Sequence, residues 1–191
     1  MPVRLRFSAV DVELDARSFG AGFAALFAGA DTTALHADIG EHVLNATDER
    51  FEAERAPDGT PWAPLSPATL ERQYKGRGKG RKTTKRARGG AQVPTAGFAR
   101  FAAGKRILQD LGVRGGLRGS VAYRAEDGLV RVGSNKVYAR AHQFGLGERS
   151  SAATRRGLPA LPARPWLGVS DADRAVIAGI VARWARDLTG G

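Results

Sequence analysis

Between residues 72 and 106 the chain carries 12 Lys or Arg and no Asp or Glu. Like charges without partners repel one another and resist packing, so this stretch restricts the fold more than any other. Its centre, Lys75-Gly76-Arg77-Gly78-Lys79-Gly80-Arg81-Lys82, has low complexity and no apolar period. Residues 74–104 therefore read as a long, flexible basic loop. The remainder is close to balanced. Residues 1–71 hold 5 basic and 12 acidic side chains, and residues 107–191 hold 13 and 7. The net charge of +11 is thus concentrated in one segment.

The flanking sequence has ordinary globular patterning. Val3, Leu5 and Phe7 alternate with Arg4 and Arg6, the period of a strand with one buried face, and Val12 and Leu14 continue it more weakly. Phe19, Phe23, Leu26 and Phe27 have helical spacing, interrupted by glycines. Asp31 or Thr32 can cap a longer helix with Leu35, Ile39, Val43, Ala46 and Phe51 on its apolar stripe. That helix must stop before Pro57, because proline lacks an amide donor and restricts the residue before it. Pro57-Asp58-Gly59 reads as a turn.

Residues 57–67 contain four prolines and read as a stiff extended arm or an Ω-like loop, anchored by Trp62 and Leu65. Ser66 and Pro67 form a helix start, cap followed by proline at the first helical position. Order returns near Ile107-Leu108. Residues 117–125 and 129–133 alternate on either side of Glu126-Asp127-Gly128, a hairpin signal. Val121 and Tyr123 share one face, as do Val130 and Val132. Ser170 to Asp173 caps a final helix with Ile177, Ile180, Val181, Trp184 and Leu188 on its stripe, and Gly190 stops it. Strands and helices are segregated rather than alternating. The expected class is α+β: a small antiparallel sheet packed against a long helix and a C-terminal helix, with extended arms and a long basic loop. At 191 residues the whole reads as one domain, 1–191, with Pro/Trp arms at 57–67 and 159–169.

Several functional classes find no support. There is no cysteine, so no disulfide, thiolate catalysis or thiolate metal site, which fits synthesis inside a cell. No apolar run approaches the ~18 residues of a membrane span, and no secretory signal follows Met1. His36 and His42 lie six apart on one expected helix and do not share a face. No His/Asp/Glu grouping has metal-ligand spacing. Gly112-Val113-Arg114-Gly115-Gly116 lacks the Lys-Ser/Thr of a phosphate loop. No catalytic residue, cofactor or metal is expected, and the chain is not read as an enzyme.

Two surfaces carry the functional expectation. The Pro/Trp segments bury against their own chain or dock on a neighbouring subunit, where Trp and Arg make favoured anchors. The basic segment is a solvated loop or a contact for nucleic acid, by counterion release and without reading sequence. Its candidate residues are Lys75, Arg77, Lys79, Arg81, Lys82, Lys85, Arg86 and Arg88. Tyr74, Phe98 and Phe101 stand too far apart in sequence for a base-stacking platform.

Three segments occur in order: Pro57 to Leu70 around Trp62 and Leu65, Tyr138-Ala139-Arg140-Ala141-His142-Gln143-Phe144-Gly145, and Leu161-Pro162-Ala163-Arg164-Pro165-Trp166-Leu167-Gly168. Their ordered combination resembles the virion morphogenesis, or tail completion, family of Mu-like tailed phages. Ile107 to Gly112, followed by Leu117-Arg118-Gly119-Ser120, resembles a further family segment, with Leu111 where a small hydroxyl residue usually stands. The basic stretch is longer than usual for the family.

The resemblance implies a structural protein of the virion neck or tail end, assembled in the host cytoplasm. It implies a homo-oligomeric, hexameric ring that contacts the tail tube and head connector, with no membrane partner. Trp62, Leu65, Tyr138, His142, Phe144, Pro162, Arg164, Pro165 and Trp166 become the subunit-interface candidates. Non-specific contact with packaged DNA is compatible with the basic loop. The alternative is a free nucleic-acid-binding protein acting in packaging or regulation.

Overall fold

The computed structural model describes residues 10–15, 29–109, 116–147 and 161–189. The expected strand at 3–7, the helical spacing at 19–27, the loop at 112–115 and the start of the second arm lie outside the described residues. In chain order the elements are β1 (Val10–Asp15), α1 (Thr33–Ala53), α2 (Pro67–Lys75), β2 (Thr84–Arg86), β3 (Gln92–Pro94), α3 (Ala96–Ala103), β4 (Val121–Glu126), β5 (Leu129–Ser134), α4 (Ala139–Phe144) and α5 (Asp171–Thr189). They make an α+β protein with two antiparallel sheets, one ordered β1-β5-β4 and one β2-β3. The chain divides into two compact units, one of residues 1–62 with 108–191, the other of 63–107.

The first unit is built on α1. Leu35, Ile39, Val43 and Phe51 are buried along one face, as their spacing predicts. The helix ends at Glu54, which takes a left-handed conformation (φ 53°) and returns its N–H to the Arg50 carbonyl. The sheet and α5 both pack on α1. In the sheet, β4 and β5 form the hairpin expected around Asp127-Gly128, pairing Tyr123 with Val132 and Ala125 with Val130. Gly128 supplies the positive φ of 75° that the turn requires. β1 joins the far side of β5, with Val12 opposite Val132.

Val130 and Val132 are fully buried, whereas Tyr123 keeps 36% of its surface. Helix and sheet meet most closely at Gly40. A Cβ there would lie 2.6 Å from Tyr123 Cδ2 and 2.9 Å from Val130 Cγ2, so only glycine admits this approach.

The hairpin tip also closes the start of α1. Asp127 Oδ1 accepts from the Thr32 backbone N–H (3.0 Å) and hydroxyl (2.7 Å), and the Thr32 hydroxyl accepts from the Gly128 N–H (2.8 Å). A carboxylate from distant sequence thus sits where the helix N-terminus favours negative charge. The Thr32 hydrogen bonds hold the Asp127 carboxyl below the usual carboxylate range. At the other side, Arg118 binds Asp48 (2.5 and 2.7 Å) and Glu52 on the polar face of α1, tying down the turn that leads into β4.

In the second unit the stretch read as a loop, 74–104, has no helix or strand at 76–83 but carries two strands and a helix beyond. Ser66 caps α2 through the Thr69 N–H (3.2 Å), with Pro67 at the first position, as expected. Beyond it, β2 and β3 pair around Ala87-Arg88-Gly89-Gly90, closed by Ala87 N–H to Ala91 carbonyl (2.8 Å). Thr95 then serves both neighbours. Its N–H and hydroxyl bond the Thr83 and Lys82 carbonyls, while its side chain caps α3 by accepting from Phe98.

Tyr74, Phe98 and Phe101, distant in sequence, meet with ring centroids 5.4 Å apart in each Tyr–Phe pair. The sequence spacing misjudged them because α2 and α3 pack together. They are this unit's core rather than a platform, since Tyr74 is only 8% exposed.

Candidate functional site

The three ordered segments converge in the first unit. After α1, the chain folds back on itself: Ala56 N–H bonds the Thr60 carbonyl (2.9 Å), Trp62 N–H bonds Glu54 (2.8 Å), and Gly59 takes the turn with φ 82°. Residues 54–62 are thus a tight reversal, the looped rather than the extended of the two forms expected for this segment. The Asp58 carboxylate accepts the Thr60 N–H (2.9 Å), which holds the turn and keeps that carboxyl below its ordinary value. This reversal delivers the Trp62 indole to Phe51, edge-to-face at 5.5 Å. Its Nε1–H donates to the Pro165 carbonyl (2.8 Å).

Trp166 enters from the other side, 6.1 Å from the same Phe51 ring, with its Nε1–H directed to the Ala139 carbonyl (3.3 Å). Gln143 joins the second and third segments. Its Oε1 accepts from the Trp166 and Leu167 N–H groups (3.0 and 3.1 Å), and its Nε2 donates to the Leu167 carbonyl (2.8 Å). One buried amide therefore satisfies three backbone groups that have no strand to pair with. Arg164 N–H bonds the His142 carbonyl (2.7 Å), and Leu146 and Leu161 exchange both backbone bonds. Gly145, at φ 73°, lets these strands touch; a Cβ there would lie 2.8 Å from both Ala163 N and Leu161 O.

A buried ionic cluster completes the clasp. Asp173, at the third position of α5, accepts from the Ser170 N–H (2.7 Å) and hydroxyl (2.6 Å), while Ser170 accepts the Asp173 N–H (3.1 Å). The same carboxylate pairs with Arg50 and lies 3.2 Å from His42 Nε2. Arg50 also donates to the Gly168 carbonyl (2.9 Å). Burial pushes the Asp173 carboxyl up, but the Ser170 bonds, then Arg50 and His42, outweigh it and leave it below the usual range. Burial pulls Arg50 down, with Asp173 opposing. Arg50 and Asp173 are 123 residues apart. The sequence signalled only half of this, through the Ser170 cap.

These contacts sort the interface candidates. Trp166 is fully buried, Arg164 is 3% exposed and Trp62 is 5% exposed, all within the chain. Of the two expectations for the Pro/Trp segments, burial against their own chain or docking on a neighbour, these three side chains match the first. Pro165 is half-buried, as is Leu65 in the second unit, and Pro162 is exposed.

Around α4 the picture reverses. Tyr138 is 42% exposed and Phe144 50%, and Val137, which the sequence reading passed over, is 94% exposed. His142 stacks edge-on to Tyr138 at 5.9 Å, and its buried Nδ1 has no hydrogen-bond partner. Burial, with Arg164 nearby, lowers its basicity. The eight basic candidates all fall in the second unit and are exposed. Among the described residues no group of three His, Asp or Glu could hold a metal ion, and no helix is long and apolar enough to cross a membrane.

The Pro/Trp segments thus clasp the central Phe51 of an α+β unit. A family model describes this pattern over residues 19–185: the chain belongs to the phage virion morphogenesis family. Its role accordingly lies in building the virion. No curated protein and no solved structure matches the chain.

Proposed function

We propose that this protein is a structural component of the phage neck or tail end. It completes the tail and joins it to the head as a closed ring of identical subunits, without enzymatic activity. Family membership supports the virion role, and six subunits is the ring size that the family resemblance implies. The observation that carries the assembly step is the apolar surface at α4. Val137 and Tyr138, in the turn just before α4, and Phe144, at its last residue, face water beside a helix that the Gln143 clasp holds in place. Large apolar side chains exposed on a rigid support are costly unless a partner covers them. A ring arises when one such patch meets a different patch on the next copy, head to tail.

Light scattering and negative-stain imaging of the purified chain, alone and with tail tubes, test the proposal. Rings or tube-end caps are expected, and Tyr138→Asp with Phe144→Asp should abolish them without lowering the melting temperature. A protein that stays monomeric and never associates with tails or heads would sink it.

A further inference from the structure

We infer that the 63–107 unit is a docking module for the phosphodiester backbone of double-stranded nucleic acid, with Lys79, Lys82, Lys85, Arg86 and Arg88 as its contacts. Its charge is the first reason. The unit holds 12 basic residues and one carboxylate, Glu71, which already lies 3.3 Å from Lys75. The fold is the second. The β2–β3 hairpin presents Lys85 and Arg86 in fixed register, and its turn of Ala87, Arg88, Gly89 and Gly90 adds a cation without bulk around it. All five contacts are exposed.

The third reason separates nucleic acid from an acidic protein. Protein interfaces rely on apolar or aromatic anchors, whereas nucleic-acid interfaces are polar and strongly positive. Among the described residues the exposed large apolar side chains, Tyr123, Val137, Tyr138, Phe144, Val176 and Leu188, all lie in the first unit. In the second unit Tyr74 is buried and Phe98 and Phe101 are half-buried, with Arg77 over Phe101 (4.9 Å) and Arg81 over Tyr74 (5.3 Å) covering two of the rings. Phe98 alone of the three has no arginine over it, so bases find little stacking surface, which disfavours single strands. What remains is phosphate contact, which positions a duplex without reading its sequence.

Fluorescence anisotropy of the full chain with two labelled duplexes of unrelated sequence, titrated between about 50 and 200 mM salt, tests this. Both duplexes should bind alike. Log affinity should fall with log salt at a slope of roughly −4 to −5 for five phosphate contacts. The variant Lys82→Gln/Lys85→Gln/Arg86→Gln/Arg88→Gln should lose about 3 to 4 from that slope, with circular dichroism, melting and oligomeric mass unchanged. Arg86→Lys/Arg88→Lys should bind as the wild type does, since a phosphate accepts either cation. Arg124→Gln/Arg174→Gln, in the first unit, should change nothing.

The inference fails if the wild type does not bind at the lowest salt, or if the four-fold variant binds equally well. It also fails if one duplex sequence or a single strand is strongly preferred, or if poly-glutamate displaces duplex as efficiently as unlabelled duplex does. Duplex binding is independent of the ring, so a monomer that binds would overturn the assembly proposal alone.

Discussion

The first unit carries 18 basic and 18 acidic side chains, while the 63–107 unit carries 12 and one. The whole net charge of +11 therefore belongs to the smaller unit. Their interiors differ in the same sense. The first unit buries Phe51, Trp62, Trp166, Ile39, Ile177, Val130 and Val132, and places the Arg50–Asp173 ion pair inside. The second buries Tyr74, Thr83 and Ile107 and leaves almost every charge in water. Neutrality lets a chain compact around long-range contacts. A one-signed segment orders only through short-range devices: a tight hairpin, a shared Thr cap and three rings. Substitutions in the interior of the first unit should therefore be felt as stability, and those of the second unit's cations as binding.

The largest expected effect is at Trp166. Trp166→Ala removes a fully buried ring from beside Phe51 together with its hydrogen bond to the Ala139 carbonyl, which should cost about 3–5 kcal/mol. Chemical denaturation measures it. A variant of normal stability that fails only to assemble would restore Trp166 as a docking residue and erase the contrast between the units.

Next is Asp173. Asp173→Ala leaves Arg50 charged in a buried place, a loss of about 3 kcal/mol or more at neutral pH. Because the folded state lowers the carboxyl's pKa, its contribution is present above the unfolded value of about 3.9 and is lost as pH falls through the folded one. His142 acts in the same direction at higher pH. Burial lowers its basicity, so below about 6.5 the unfolded chain takes up a proton that the folded chain resists, and stability drops. Stability-versus-pH curves should show both declines in the wild type. The lower one should shrink in Asp173→Ala and the upper one in His142→Gln. A flat profile from pH 7 to 5 would rule out the His142 contribution.

How much of this was visible beforehand depends on range. The α1 stripe, the Asp127-Gly128 hairpin, the Ser66-Pro67 start and the Ser170 cap are local signals and stand in the structure as read. The Gln143 clasp, the Asp127–Thr32 closure and the Arg50–Asp173 pair join residues 23 to 123 apart, and periodicity is silent on such partners. The β2–β3 hairpin was hidden differently. Gly89-Gly90 between two short runs is a turn signal, but it lies inside a run of like charge that reads as unstructured. Of the site, the motifs were legible as anchors. Their sequence did not say whether they anchor this chain to itself or to a neighbour, because Trp, Pro and Arg serve both purposes.

A smaller effect tests how tightly the first unit is packed. Gly40→Ala gains helix propensity of about 1 kcal/mol but sets a Cβ 2.9 Å from Val130 Cγ2. The half-exposed Tyr123 ring can swing away, while the fully buried Val130 cannot. Overpacking costs about 1–3 kcal/mol, so a net loss of about 1 kcal/mol is expected from melting curves. A gain would mean that the sheet slides on α1 and that the first unit is looser than its burial implies.

The smallest effect belongs to the second unit and sharpens the comparison most. Arg77 and Arg81 each lie over an aromatic face at an exposed position, where a cation–π contact is worth about 0.5–1 kcal/mol. Arg77→Gln/Arg81→Gln removes both contacts but also relieves repulsion in a segment with no acid nearby, and the two effects oppose each other. Global melting should then shift hardly at all. The local readout is hydrogen exchange at the Ala99 and Gly104 amides, which are bonded to Thr95 and Arg100 in and around α3. Exchange there should quicken up to about tenfold if stacking outweighs repulsion, while the α1 amides stay unchanged. Should the α1 amides quicken equally, the two units unfold as one, and charge no longer separates a region that stabilises from a region that binds.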